Sequence, residues 1–307
     1  MTANWRLARR HGALRARARI IQEVRRFFIE GGYLEVETPL RIPAPAPESH
    51  IDPVPADGWF LQTSPEICMK RMLAAGYERL FQISHCWRAG ERGSMHVPEF
   101  TMLEWYRAAS DYRGVMEETE RLIRFVAEGA GFGGPLSFRG KEIDITAPWE
   151  RITVRDAFVR YGGMTMDKAL DRDIFDEVMV EQIEPRLGIS RPTFIHDYPA
   201  CRSALARLKG DDLTVAERFE LYLGGVEIAN AFSELTDPVE QRARFESEAA
   251  FRTSREQTPI PLPEKFLAEL AAMPQAAGIA LGIDRLVMVL LDADSIDEVV
   301  AFTPEEL

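Results

Sequence analysis

Two adjacent glycines, Gly224-Gly225, separate the runs 218–223 and 226–232, in which apolar and aromatic side chains alternate with polar ones. A two-residue hairpin turn needs positive φ at its centre, and glycine reaches that conformation without steric cost, so this stretch reads as a β-hairpin. Leu223 then pairs with Val226 and Tyr222 with Glu227. Glu220 falls diagonal to Glu227 on the same face, within roughly 7–8 Å. Carboxylates that close repel unless a cation lies between them, and magnesium bridging polyphosphate oxygens suits that position. Two solvated carboxylates on an outer face fit the same spacing. Asn230, Phe232 and Glu234 have the opposite parity from Glu227. They share its face only if a bulge falls near Ile228 or Ala229.

The same logic organises the rest of the chain. Apolar residues at helical spacing over 14–29 stop at Gly31-Gly32. Residues 33–39 alternate and break at Pro39, which predicts a strand, and the proline-rich segment 41–55 reads as a loop. A Met/Leu stripe with an early proline predicts a short helix over 64–75. Strands at 80–88 and 99–107 flank a loop, and a helix at 111–128 is ended by glycines. Segment 152–209 mixes short helices with a strand at 193–197. A charged helix covers 238–258, and a strand at 278–282 turns directly into a helix at 283–291. Hairpin-linked strands with helices outside predict an α+β fold, a mostly antiparallel sheet flanked by helices, as one domain over 1–307.

Two further constellations carry chemistry. In a strand, residues two apart share a face, so Phe100, Met102, Glu104 and Tyr106 line one surface. If Arg88 points the same way, a guanidinium, an aromatic plane and a carboxylate meet there: partners for a phosphate, a purine and an ammonium. A surface hairpin with scattered charges matches the same pattern. Near the C-terminus, Gly278-Ile-Ala280-Leu-Gly282-Ile-Asp284-Arg285 places glycines where a ligand can approach the backbone. Arg285 then sits in the first helical turn, where free N–H groups favour an anion. An ordinary strand–helix joint reads the same way.

Composition narrows the class. A chain of 307 residues with net charge −12 argues against a broad phosphate-binding surface, although eight arginines between Arg6 and Arg26 form a local basic patch. That patch reads either as a solvated helix face or as a contact surface for a macromolecule. The longest apolar run, 286–291, is far below the roughly 20 residues of a membrane span. The basic start at 1–19 lacks the apolar core of a secretory signal. Three widely spaced cysteines predict a reducing, cytoplasmic compartment. Neither they nor the five histidines show metal-ligand spacing, so any metal is held by oxygen, which favours magnesium over zinc.

Together, 33–39, 88–106 and 278–286 resemble the three signature motifs of class II aminoacyl-tRNA synthetases. Thr63-Ser-Pro-Glu66, Pro98-Glu-Phe-Thr-Met-Leu-Glu104 and Glu227-Ile-Ala-Asn230 are similar to that class's lysine branch. Motif 1 begins near residue 33, which leaves no room for that branch's anticodon-binding barrel. The chain therefore resembles the short paralogues that attach lysine, typically its β isomer, to a lysine of elongation factor P. Ala280, the Glu-Trp-Tyr-Arg that closes motif 2 and Val299-Val-Ala-Phe302 add to that likeness.

The resemblance implies ATP and Mg2+ as cofactors, lysine or β-lysine as substrate, a homodimer built through motif 1, and tRNA as a poor acceptor. It implies that Arg88 holds the α-phosphate and substrate carboxylate. Phe100 stacks on adenine with Arg285 on its other side, near the γ-phosphate, so Arg88 and Arg285 are the catalytic pair. His96 positions the triphosphate, and Glu220 and Glu227 hold the metal. Glu66 meets the backbone-type amine and Asn230 lies near the carboxylate. Glu104 and Glu234 bind the far ammonium between walls of Tyr106 and Phe232, with Ala280 where the tRNA enzymes have glycine. Three departures stand out. Gly90 replaces a glutamate, a role Glu91 can take over; Val97 replaces an asparagine; Ala231 replaces a glycine and is expected to reshape the amino-acid pocket. A synthetase core serving tRNA or another acceptor, and a non-catalytic regulator, are the alternatives.

Overall fold

The computed structural model describes residues 5–307, so the start of the basic 1–19 segment lies outside the described residues. A short helix at Trp5–Arg9 leads into α1 (His11–Glu30), which buries Ala16, Ile20, Val24 and Phe28, one residue per turn. Gly31 caps it, and the stacked rings of Phe28 and Phe81, 4.8 Å apart, fix α1 on the sheet. Burying a side chain of that size contributes roughly 1.5–3 kcal/mol.

The sheet has nine strands: β1 (Leu34–Glu35), β2 (Arg79–Trp87), β3 (Glu99–Ala108), β4 (Glu150–Thr153), β5 (Thr193–Pro199), β6 (Leu208–Lys209), β7 (Asp212–Leu223), β8 (Val226–Ser233) and β9 (Ala276–Gly282). Their order is β1-β2-β3-β9-β8-β7-β5-β4, with β6 alongside β7. The pairs β1/β2 and β4/β5 are parallel and the remainder antiparallel. The expected α+β architecture is therefore present.

Leu103, Trp105, Leu221, Ala231 and Ile279 project from the sheet into a core closed by α1, α3 (Tyr112–Ala130) and α5 (Ile283–Leu290). Asp111 caps α3 by accepting from the backbone N–H groups of Arg113 and Gly114. The opposite face is covered at one end by α2 (Glu66–Ala74) and α4 (Pro238–Ser254), and at the other by short helices between 154 and 187. Between these covers the middle strands carry the site.

Several local expectations change. The strand expected over 33–39 shrinks to Leu34–Glu35: beyond it, the N–H of Thr38 turns to the side chain of Gln82, and Pro39 has none to donate. The loop 41–55 contains Arg41–Ile42 and reaches Pro55–Ala56, which join Trp59–Leu61 in a small sheet. The charged helix ends at Ser254. The arginine patch is partly internal structure. Arg10 binds Glu306, Arg17 binds Asp284, Arg25 binds Glu35 and Arg26 binds Glu23, while Arg6, Arg9, Arg15 and Arg19 stay exposed.

Candidate active site

Strand register assembles the site. Glu104 on β3 lies opposite Ala280 on β9, Ala280 opposite Asn230 on β8, and Asn230 opposite Glu220 on β7. Two residues along, Tyr106, Gly278, Phe232 and Arg218 form a second row. Cross-strand neighbours point to one face, so eight side-chain positions from four strands converge. The hairpin turns at Gly224 and Gly225, with φ of 62° and 79°, and pairs Leu223 with Val226 and Tyr222 with Glu227. The register then slips: Leu221 pairs with Ala229, leaving Ile228 as the extra residue. That bulge reverses the parity of β8 and brings Asn230 and Phe232 onto the face of Glu220.

A cavity over these rows is lined by Glu66, Arg88, Glu91, His96, Phe100, Glu104, Tyr106, Glu227, Asn230, Phe232, Ala280 and Arg285. Glu220 lines an adjoining cavity, which it shares with Glu227 and Asn230. Glu234 lines neither; its buried carboxylate lies against Gly278, within 2.6 Å of where a Cβ on that residue would sit. The motif 2 strand thus aims Phe100, Met102, Glu104 and Tyr106 into one space, while Leu103 and Trp105 face the core.

One end of the cavity is acidic. Glu104 accepts hydrogen bonds from Tyr106 Oη and from Ser64 Oγ, the latter at 2.9 Å. Burial, then the charge of Glu66, pushes its carboxyl up to about 8. Glu234, pushed to about 8 chiefly by burial, pairs with the ammonium of Lys70, which also binds Glu66 and lies 4.9 Å from the Phe232 ring centre. Two of the three expected amine-binding carboxylates therefore already hold an internal cation. Lys70 escaped the sequence reading, although its i,i+4 spacing from Glu66 on a short helix was a usable signal. At Gly278 a Cβ would lie 2.2 Å from Tyr106 and 2.6 Å from Glu234, so glycine there is dictated by close approach.

The other end is cationic. The Arg88 guanidinium sits 5.2 Å from the Phe100 ring centre and 4.0 Å from Glu91, beside the ring assigned to adenine. Arg285 donates to the Glu227 carboxylate at 3.0 Å and to its backbone carbonyl at 2.9 Å, and its Nη2 lies 2.6 Å from His96 Nε2. Burial and the neighbouring Arg285 lower the His96 pKa, which keeps the imidazole neutral as an acceptor. Burial opposes ionisation of Glu227, but Arg285, Arg88 and Arg218 outweigh it and hold the carboxyl below its usual range.

Glu220 accepts from Tyr198 Oη at 2.6 Å, Tyr222 Oη at 2.8 Å and Arg218 Nη2 at 2.7 Å. Arg218 also donates to Asn230 Oδ1 at 3.1 Å, which fixes the amide's orientation. Arg218 lay within the hairpin motif, but sequence gave it no role. Among the described residues no group of three or more His, Cys, Asp and Glu side chains forms a metal centre. Glu220 and Glu227 line one cavity, and a pair of carboxylates fits magnesium, which usually takes one or two from protein and the rest from phosphate and water. Of the departures, Gly90 adopts φ 76° with open space around it, and Val97 is buried at the cavity wall. Ala231 belongs to the helix-covered core, so the expectation that it reshapes the pocket is corrected: strand alternation points it away.

An antiparallel sheet whose face joins an arginine-lined end to an acidic end has the charge layout of an aminoacyl-adenylate-forming core. The chain belongs to the class II tRNA synthetases (D, K and N), whose family pattern matches residues 2–306. Among its relatives is a protein of Proteus mirabilis (strain HI4320), named elongation factor P–(R)-β-lysine ligase. It is 38% identical over 318 residues, covering 98% of this chain and 97% of the relative. Proteins with the same name in Salmonella gallinarum and Sodalis glossinidius are 39% identical, over 98% and 99% of this chain and 98% of each relative.

Proposed function

We propose that this enzyme uses ATP to activate lysine or β-lysine as an adenylate and transfers it to a lysine side chain of elongation factor P. The observation that carries the reading is the polarity of one continuous cavity, with Arg88 and Arg285 at one end and Glu104, Glu66 and Tyr106 at the other. A diamine with one carboxylate bridges these ends in one orientation, carboxylate toward arginine and far ammonium toward Glu104.

In the first half-reaction the substrate carboxylate attacks the α-phosphorus of ATP in line and pyrophosphate leaves. Arg88 orients the carboxylate and stabilises the charge that develops on the α-phosphate oxygens. Phe100 offers its face to the purine, and Arg285 and His96 meet the triphosphate. Glu227 and Glu220 would hold magnesium, which supplies charge neutralisation for the polyphosphate. Asn230, aimed by Arg218, orients the carboxylate end of the amino acid.

The net charge of −12 supports a protein acceptor over tRNA, because nucleic-acid affinity depends on counterion release from cationic surface. The exposed Ile29 and Leu34, beside the β1 edge, support a homodimer face. Translation-factor modification belongs in the cytoplasm; no described helix is long and apolar enough to cross a membrane. The deciding experiment combines lysine- and β-lysine-dependent ATP–pyrophosphate exchange with radiolabel transfer to elongation factor P and to bulk tRNA. Exchange with labelling of the factor alone is expected. Exchange with charging of tRNA alone assigns a different acceptor, and no exchange makes the protein a regulator.

A further inference from the structure

The second half-reaction needs a base. A lysine Nζ is an ammonium at neutral pH, with an ordinary pKa near 10.4, and only its neutral form carries the lone pair that attacks a mixed anhydride. Most acidic groups of the site are already committed. Glu66 and Glu234 hold Lys70, Glu104 is bonded by Tyr106 and Ser64, Glu227 by Arg285, and Glu220 by two tyrosines and Arg218. Glu91 faces Arg88.

Glu48 is different. It lines both the main cavity and the adjoining one, so it stands at their junction. Among the described residues no donor hydrogen-bonds its carboxylate oxygens, yet its backbone is firmly held. The fully buried Arg252 of α4 donates to the carbonyls of Glu48 at 2.8 Å and Ile51 at 2.9 Å and to Asp52 Oδ1 at 2.7 Å. The N–H of Ser49 bonds Glu248 at 2.9 Å. A loop anchored through its backbone thus presents a carboxylate that no described donor engages.

We propose that Glu48 is the general base of the transfer step, taking the proton from the acceptor's alkylammonium before that nitrogen attacks the adenylate. This rests on the transferase reading above. The acceptor Nζ gives one proton to Glu48, and its lone pair forms a bond to the carbonyl carbon. The C–O bond to the phosphate then breaks with its electrons on AMP, which also receives the second nitrogen-bound proton. The groups facing Glu48 are Glu66 on α2, Arg88 at the end of β2, Arg218 on β7 and Glu248 on α4. Burial, then the charge of Glu66, pushes its carboxyl up to about 7, where it can accept a proton near physiological pH.

Single-turnover transfer from the preformed adenylate tests this, with elongation factor P, n-butylamine and hydroxylamine as acceptors. Hydroxylamine is already neutral at pH 7 and has no need of a base. Glu48→Gln is expected to slow transfer to both alkylamines about 100-fold, with less than about a threefold effect on hydroxylamine. Glu48→Asp should recover part of the rate, and the wild-type transfer rate should rise through pH 7 with a limb that Glu48→Gln lacks. Equal losses with all three acceptors, or no loss with any, would overturn the proposal. Wild-type labelling of butylamine without labelling of elongation factor P would refute the acceptor assignment while leaving the Glu48 comparison readable.

Discussion

Lys70 Nζ lies 2.5 Å from Glu234 Oε2, at a depth where both side chains are almost wholly shielded from water. Removing one member of such a pair leaves a buried polar partner unsatisfied, at a cost of about 3–5 kcal/mol where that partner stays charged and less where it takes up a proton. Lys70→Met should therefore lower the melting temperature by several degrees. It should also raise the KM for lysine at least about tenfold, the equivalent of 1.4 kcal/mol. ATP binding, at the far end of the cavity, should change little. Calorimetric melting and pyrophosphate exchange measure both effects, and a variant matching wild type in each would show that the pair is dispensable.

The acidic end also predicts a pH dependence of unusual sign. Glu104 stands at about 8 against an ordinary 4.5. Between those values the folded, ligand-free protein keeps a proton that the unfolded chain has lost, so this group's contribution to stability falls as pH rises through that window. An ammonium ligand favours the ionised carboxylate instead. The KM for lysine should fall from pH 6 to pH 8, and binding at pH 7 should release protons. Glu104→Gln should flatten both trends. Titration calorimetry in buffers of different ionisation enthalpy detects the release; proton uptake on binding would contradict this account.

Gly278→Ala tests how tightly the pocket wall is built. The added methyl meets Tyr106 and Glu234 below contact distance, and both neighbours are tethered, to Glu104 and Lys70 respectively. We expect the KM for lysine to rise more than about tenfold while binding of a non-hydrolysable ATP analogue persists. Wild-type kinetics in this variant would mean that the wall yields and that the glycine has no role in substrate selection.

The basic helix divides into two functional groups. Arg17 joins Asp284 at 2.5 Å and Thr101 at 2.8 Å, and Asp284 in turn accepts the Thr101 N–H at 2.7 Å. Arg17→Glu should lower thermal stability and exchange activity together. Arg15 and Arg19 are exposed, so replacing both with glutamate should leave the melting temperature near wild type. It should slow transfer to elongation factor P at low salt, with the difference closing as salt rises. A salt-independent rate for the double variant would exclude this face as a docking surface.

What the sequence determined is local. Gly224-Gly225 set the turn and its first two cross-strand pairs, because positive φ at both positions leaves the backbone few other paths. Alternation along 100–106 told which side chains share the open face, since a strand's period is two. The motif residues and their order were legible enough to indicate a lysine-activating core. The bulge at Ile228 was visible only as a condition, required if Asn230 was to join Glu220.

Tertiary structure decided the rest. That Ala280 lies between Glu104 and Asn230 depends on β9 inserting between β3 and β8, a pairing of segments more than 40 residues apart that no local pattern encodes. Burial likewise converts ordinary residues into site components. Lys70 is an unremarked helix lysine until α2 packs on the sheet and places its ammonium between Glu66 and Glu234. Glu48 is one more loop carboxylate until Arg252, some two hundred residues away, anchors its backbone at the meeting of two cavities. Proton affinity, charge balance and access to substrate depend on distances through space in a poorly screening interior, and those distances exist only in the folded chain.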